Sequence, residues 1–149
     1  MSFLGKVKKK LRNGSWYPFY NTFYEKNNLD PHMILLESRS GKALESNILS
    51  LLKELCQEPY RSFTLVLSVH RDSENEIKEK LQKNSIQGVH FVRTGSVAYY
   101  HALSRAGYLV NDTSFPGRFI KKEGQIYLNT WHGTPLKKMG RDNRPEMVT

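Results

Sequence analysis

From Met33 onward, short and nearly continuous apolar runs alternate with segments of helical period, and few folds accommodate that alternation. Met33-Ile34-Leu35-Leu36, Thr64-Leu65-Val66-Leu67-Ser68-Val69, Val89-His90-Phe91-Val92, Tyr108-Leu109-Val110 and Ile126-Tyr127-Leu128 read as buried strands. Between the first two, Leu44, Ile48, Leu51, Leu52 and Leu55 mark one face of a helix. Ser73 and Glu76 form a capping box ahead of Ile77 and Leu81, and Ser96 caps a helix through Tyr99 and Leu103 that should end at Gly107. Apolar strands separated by helices imply a parallel α/β sheet covered on both faces, with right-handed crossovers. Such sheets bind ligands outside the carboxyl ends of their strands. Here those ends are Glu37 to Lys42, His70 to Asp72, Arg93 to Ser96, Asn111 to Arg118 and the residues around His132.

The densest of these ends is Asn129-Thr130-Trp131-His132-Gly133-Thr134-Pro135-Leu136-Lys137-Lys138-Met139-Gly140. Thr134 is a fair N-cap, Pro135 suits the first helical position and Gly140 suits the stop, so the stretch reads as strand, loop, helix. His132 thus stands beside backbone N–H groups at a helix start, where negative charge is stabilised. A base next to an anion site suits phosphoryl chemistry, and Trp131 reads as a wall that orients it. A lone histidine after a strand is more often structural, and this helix start counts towards catalysis without deciding it. Among the other ends, Glu37-Ser38-Arg39-Ser40-Gly41-Lys42 lacks the first glycine of a P-loop and has Ala43 where a magnesium-binding hydroxyl would stand. Phe115-Pro116-Gly117-Arg118-Phe119 reads as a hydrophobic plug carrying an arginine. No G-x-G occurs among the ten glycines, which disfavours a dinucleotide site. The histidines show no metal-ligand spacing, so neither a metal nor another cofactor is expected.

The run from Tyr127 to Gly140, followed by Asp142, resembles the signature of the CDP-glycerol glycerophosphotransferases of teichoic acid synthesis. The resemblance extends through Tyr108-Leu109-Val110-Asn111-Asp112-Thr113-Ser114-Phe115-Pro116 and, more weakly, Ile34-Leu35-Leu36-Glu37-Ser38 with Gly41-Lys42. It implies a Rossmann-like sheet forming the amino-terminal, acceptor-side half of a GT-B-type two-domain enzyme. The family reaction moves glycerol phosphate from CDP-glycerol to a hydroxyl of a lipid-linked, anionic poly(glycerol phosphate) or primer, releasing CMP. His132 would be the base. Gly133, Thr134, Lys137, Lys138, Ser38, Gly41, Lys42 and Arg118 would contact substrate. The family also implies a carboxyl-terminal donor domain, which does not appear in this sequence, so the chain alone is expected to be inactive.

Length and charge agree with that reading and add a partner. At 149 residues the chain suits one domain rather than two facing each other across a cleft. Lys and Arg number 23 against 14 Asp and Glu, a formal charge of +9 that favours anionic partners. Phe3, Leu4, Val7 and Leu11 fall at helical spacing among Lys6, Lys8, Lys9, Lys10 and Arg12, and Trp16 to Tyr24 is rich in aromatics, with Pro18 placed to open a second short helix. Residues 1–30 therefore read as a basic, aromatic segment suited to a membrane surface, or else to docking on the domain formed by residues 31–149. No run approaches the about 18–20 apolar residues that span a bilayer. The single cysteine, Cys56, reads as core packing and fits a reducing cytoplasm, so the expected location is the inner face of the cell membrane. The rival function, a non-catalytic basic module binding membrane or nucleic acid, is weakened for nucleic acid by the split basic clusters and the lack of a nucleic-acid-binding motif.

Overall fold

The computed structural model describes residues 17–117 and 119–131; the expected basic helix over residues 1–12 and the helix expected from Thr134 lie outside them. The described residues form a parallel sheet in the order β3-β2-β1-β4-β5. Its strands are β1 (Asp30–Glu37), β2 (Thr64–Val69), β3 (Val89–Arg93), β4 (Ala106–Asn111) and β5 (Ile126–Asn129), with helices α1 (Tyr17–Lys26), α2 (Ser46–Leu55), α3 (Glu74–Lys83) and α4 (Val97–Arg105). Every expected strand is present, and β1 pairs with both β2 and β4. The strand order therefore reverses at the β1–β4 junction, which is where an open parallel sheet forms its binding crevice.

Side-chain alternation divides the core into two layers. Ile34 and Leu36 of β1, with Leu65, Leu67 and Val69 of β2, pack against Ile48 and Leu52 of α2 and Ile77 and Leu81 of α3. Leu35, Val66 and Leu109 face the opposite way, towards Tyr99, Ala102 and Leu103 of α4 and Tyr20 of α1. Helix α1 belongs to this second layer. Tyr20 is 2% exposed, donates its hydroxyl to the Ile120 carbonyl at 2.7 Å and stacks against Tyr100 and Phe119. Phe23 meets His101 edge-on. In α1 the docked arrangement is thus the one observed, with Tyr20 committed to the domain's own core and Tyr24 packed against it.

Three local expectations are corrected. Ser73 does not cap α3: the helix is entered through a 3-10 turn, Arg71–Ser73, leaving Ser73 at φ −110, ψ 0 rather than in the extended region that a capping side chain needs. Gly107 does not end α4, which passes from Arg105 directly into β4. The free carbonyls there are met by buried Gln125, whose Nε2 donates to Leu103 O at 3.0 Å and Ala106 O at 2.8 Å. Gly107 instead permits close approach to β1, since a Cβ would stand 2.8 Å from the Asp30 carbonyl oxygen. Finally, β5 reads as buried but is exposed along its length. As an edge strand it carries Ile126 (56% exposed) and Leu128 (49%) beside an apolar groove of about 350 Å³ that reaches Leu51, Phe63 and Tyr108. Ser96 does cap α4, accepting from the Tyr99 amide at 3.1 Å.

Candidate active site at the carboxyl edge of the sheet

Hydrogen bonds stitch the strand ends together, and the strongest knot lies at the β1–β4 junction. Asp112, directly after β4 and 1% exposed, accepts from the Ser38 hydroxyl through Oδ2 and from the Arg39 amide through Oδ1, each at 2.8 Å. This clamp holds an unusual turn. Arg39 (φ 49), Ser40 (φ 54) and Gly41 (φ 77) are all left-handed, a conformation costing an ordinary L-residue about 1–2 kcal/mol. Gly41 is also buried: its carbonyl accepts from His70 N at 2.6 Å, tying the loop to the end of β2. Lys42 is exposed just beyond. Replacing Asp112 by Asn should therefore lower stability by about 2 kcal/mol, because an amide offers one acceptor oxygen where two donors now converge. Urea denaturation of the chain measures this, and an unchanged midpoint would show that the turn does not need the clamp.

Behind the turn, polar residues continue the second apolar layer. Ser68, Glu37, Asn111 and Asn129 are successive register partners across β2, β1, β4 and β5, and strand alternation puts them on the face shared by Val66, Leu35, Leu109 and Tyr127. Ser68 bonds Thr94 through their hydroxyls at 2.8 Å, and the Tyr127 hydroxyl donates to Asn111 Oδ1 at 3.0 Å. Burial pushes the Glu37 carboxyl up from its ordinary value, the nearby Ser68 and Tyr99 hydroxyls pull it back, and the charge of Asp112 pushes it up again. Oε2 of Glu37 nevertheless closes no hydrogen bond, nor does the Tyr99 hydroxyl, so desolvation dominates. Burial, then the neighbouring Glu37, holds Tyr99 well above the usual phenol range.

The row leads to the exit from β5. Asn111 O accepts from Thr130 N at 2.8 Å, Asn129 Oδ1 accepts from Trp131 N at 2.9 Å, and Asn47 of α2 donates to the Thr130 and Trp131 carbonyls at 3.2 and 3.3 Å. Trp131 is 38% exposed with φ 57, a left-handed turn immediately before His132. His132, Gly133, Thr134, Lys137, Lys138, Arg118 and Asp142 all lie outside the described residues. Of the other expected substrate contacts, Ser38 and Gly41 face inward: Ser38 is 1% exposed and engaged with Asp112, and a Cβ on Gly41 would strike Thr94. They shape the loop, and Lys42 is left as its outward cation. Phe115 forms the expected plug against Phe119 and Tyr127.

Sequence reasoning did not single out Glu37, Tyr99, Asn111 or Asp112. The available signal was parity: Glu37 follows Leu35 by two residues, which turns it inward. Among the described residues, no group of His, Cys, Asp or Glu is arranged to hold a metal ion, and no helix is long and apolar enough to cross a membrane.

Comparison with known proteins extends the picture beyond the described residues. Residues 19–149 match the family CDP-Glycerol:Poly(glycerophosphate) glycerophosphotransferase. The chain is 31% identical over 123 residues to a teichoic acid poly(glycerol phosphate) polymerase of Staphylococcus epidermidis, covering 83% of this chain and 16% of that protein. It is 28% identical over 137 residues to a teichoic acid glycerol-phosphate transferase of Staphylococcus aureus, covering 91% of this chain and 33% of the relative. The solved wall teichoic acid polymerase TagF superposes with a TM-score of 0.67 at 26% identity, over 97% of this chain and 35% of TagF. A TagF variant soaked with CDPG gives 0.68 at 26% identity, over 99% of this chain and 36% of that one. The chain thus spans a third or less of these two curated relatives. With a parallel sheet whose strand ends converge on one edge and a match running from residue 19 to residue 149, the chain belongs to the CDP-glycerol:poly(glycerophosphate) glycerophosphotransferase family.

Proposed function

We propose that this chain is the acceptor-side part of a teichoic acid glycerophosphotransferase. The observation that carries the reading is the family match over residues 19–149, a span that includes His132 and its flanking glycine, threonine and lysines. In the proposed step an acceptor hydroxyl oxygen attacks the β-phosphate of CDP-glycerol and the bond to the CMP oxygen breaks. His132 takes the hydroxyl proton. Gly133 and Thr134 offer backbone N–H groups to phosphate, as a helix start does. Lys137, Lys138 and Arg118 contact the anionic acceptor, while the turn clamped by Asp112 presents Lys42 to the same chain. The basic pattern between Phe3 and Arg12 supplies contact with an anionic membrane surface, which keeps the protein beside a lipid-linked substrate.

Two proteins test this: the chain by itself, and TagF in which this chain replaces the matching stretch. With CDP-glycerol and a glycerol-phosphate primer, the graft should release CMP and the chain alone should not exceed background, because the carboxyl-terminal half binds the donor. Robust turnover by the chain alone would refute the assignment of half a site. A folded graft that binds CDP-glycerol but releases no CMP would refute the acceptor-side assignment.

A further inference from the structure

We propose that Glu37 and Asn111 form a positioning pair for the turn that delivers His132, an inference that rests on the reading of His132 as base. The two residues are register partners on adjacent strands, and strand alternation puts both on the α4 face of the sheet. Each carries one buried atom without a hydrogen bond, Oε2 on Glu37 and Nδ2 on Asn111. One is an acceptor and the other a donor, on strands about 4.8 Å apart, so the two atoms are chemically matched for an Nδ2–H···Oε2 bond. The rest of Asn111 is committed to β5. Its Oδ1 accepts from the Tyr127 hydroxyl, and its carbonyl accepts from the Thr130 amide and, at 3.4 Å, the Thr130 hydroxyl. Whatever holds the Asn111 side chain therefore also sets where Thr130 and Trp131 leave the sheet.

The alternative is that Glu37 only fills space. An apolar residue would do that at less desolvation cost, and Val66, Leu35 and Leu109 continue the same face below the polar row of Ser68, Glu37 and Asn111. Glu37 also has no solvent-facing part, being 1% exposed, so it does not meet substrate directly. Its reach to the chemistry runs through Asn111 to the backbone at Thr130.

Amide hydrogen exchange on the chain, followed residue by residue, separates the two roles. Glu37→Leu should keep the sheet folded while exchange at Thr130 and Trp131 accelerates about tenfold and Leu67, on the far side of β1, stays unchanged. Glu37→Gln, whose amide oxygen still accepts from Asn111, should restore most of that protection. In the TagF graft, Glu37→Leu should lower kcat about tenfold with KM within about twofold, the pattern for a group that aligns rather than binds. Uniform acceleration across the sheet, or no change at Thr130, would overturn the proposal. If Glu37→Leu fails to fold, Asn111→Ala and Glu37→Gln/Asn111→Ala carry the test: the pair predicts that the double variant exchanges no faster at Thr130 than Asn111→Ala, and additive acceleration overturns it. Near-normal kcat for His132→Asn in the graft, with the Thr130 result intact, would refute the base assignment and leave the pairing standing.

Discussion

Changing His132 to asparagine in the TagF graft should lower kcat by about 10²- to 10⁴-fold, the usual loss when a general base is removed. Asparagine still hydrogen-bonds, but it cannot take the proton from an attacking alcohol. A neutral imidazole can. His132→Ala should fall by a similar factor, whereas Lys137→Ala and Lys138→Ala should chiefly raise KM, because binding a polyanion is shared by ground and transition states. Folding is the control. If His132 serves only as base, the thermal transition should move little. Near-normal kcat in His132→Asn would end its candidacy as base, and loss of the transition would make the residue structural.

A comparably large effect, on stability, is expected for Gly41→Ala. The new methyl would stand 2.3 Å from Thr94 Oγ1, 2.8 Å from His70 N and 3.0 Å from the Val69 carbonyl carbon. Thr94 is held by its bond to Ser68, and the other two atoms are backbone, so none yields easily. Adding the left-handed φ of 77, the loss should reach at least about 3 kcal/mol, or a fall in melting temperature on the order of 10 °C. Gly88→Ala is the matched control: its φ is 74, but nothing lies within 4 Å of the added carbon, so only the backbone cost of about 1–2 kcal/mol applies. Equal melting temperatures for the two variants would show that the loop can retreat, and that the Asp112 clamp does not hold it in place.

Helix and strand identity needed little beyond the sequence. Apolar runs such as Thr64 to Val69, buried on both faces in a parallel sheet, have one stable use, and Leu44 to Leu55 has the period of a helix lying on that sheet. The same logic put the strand ends together on one edge, because parallel strands share a direction. Local chemistry was less reliable at element ends. Ser73 has the right spacing to Glu76, yet the 3-10 turn before it sets its backbone. Gly107 has the residue type of a helix stop, yet close approach of β1 determines its place.

By itself, then, the sequence determined the α/β class, the edge at which the strand ends gather and, through the His132 motif, the family. Each of these depends on periodicity or on adjacent residues. Tertiary structure alone decided that Asp112 clamps a turn from Arg39 to Gly41, that Glu37 and Asn111 fall opposite each other on adjacent strands, and that the aromatic helix α1 docks on α4. These contacts join residues that are 73, 74 and 78 positions apart (112 − 39, 111 − 37, 101 − 23). Such pairings depend on strand order and register, and those are settled by how the two apolar layers pack, a property of the folded chain that no short stretch of it encodes.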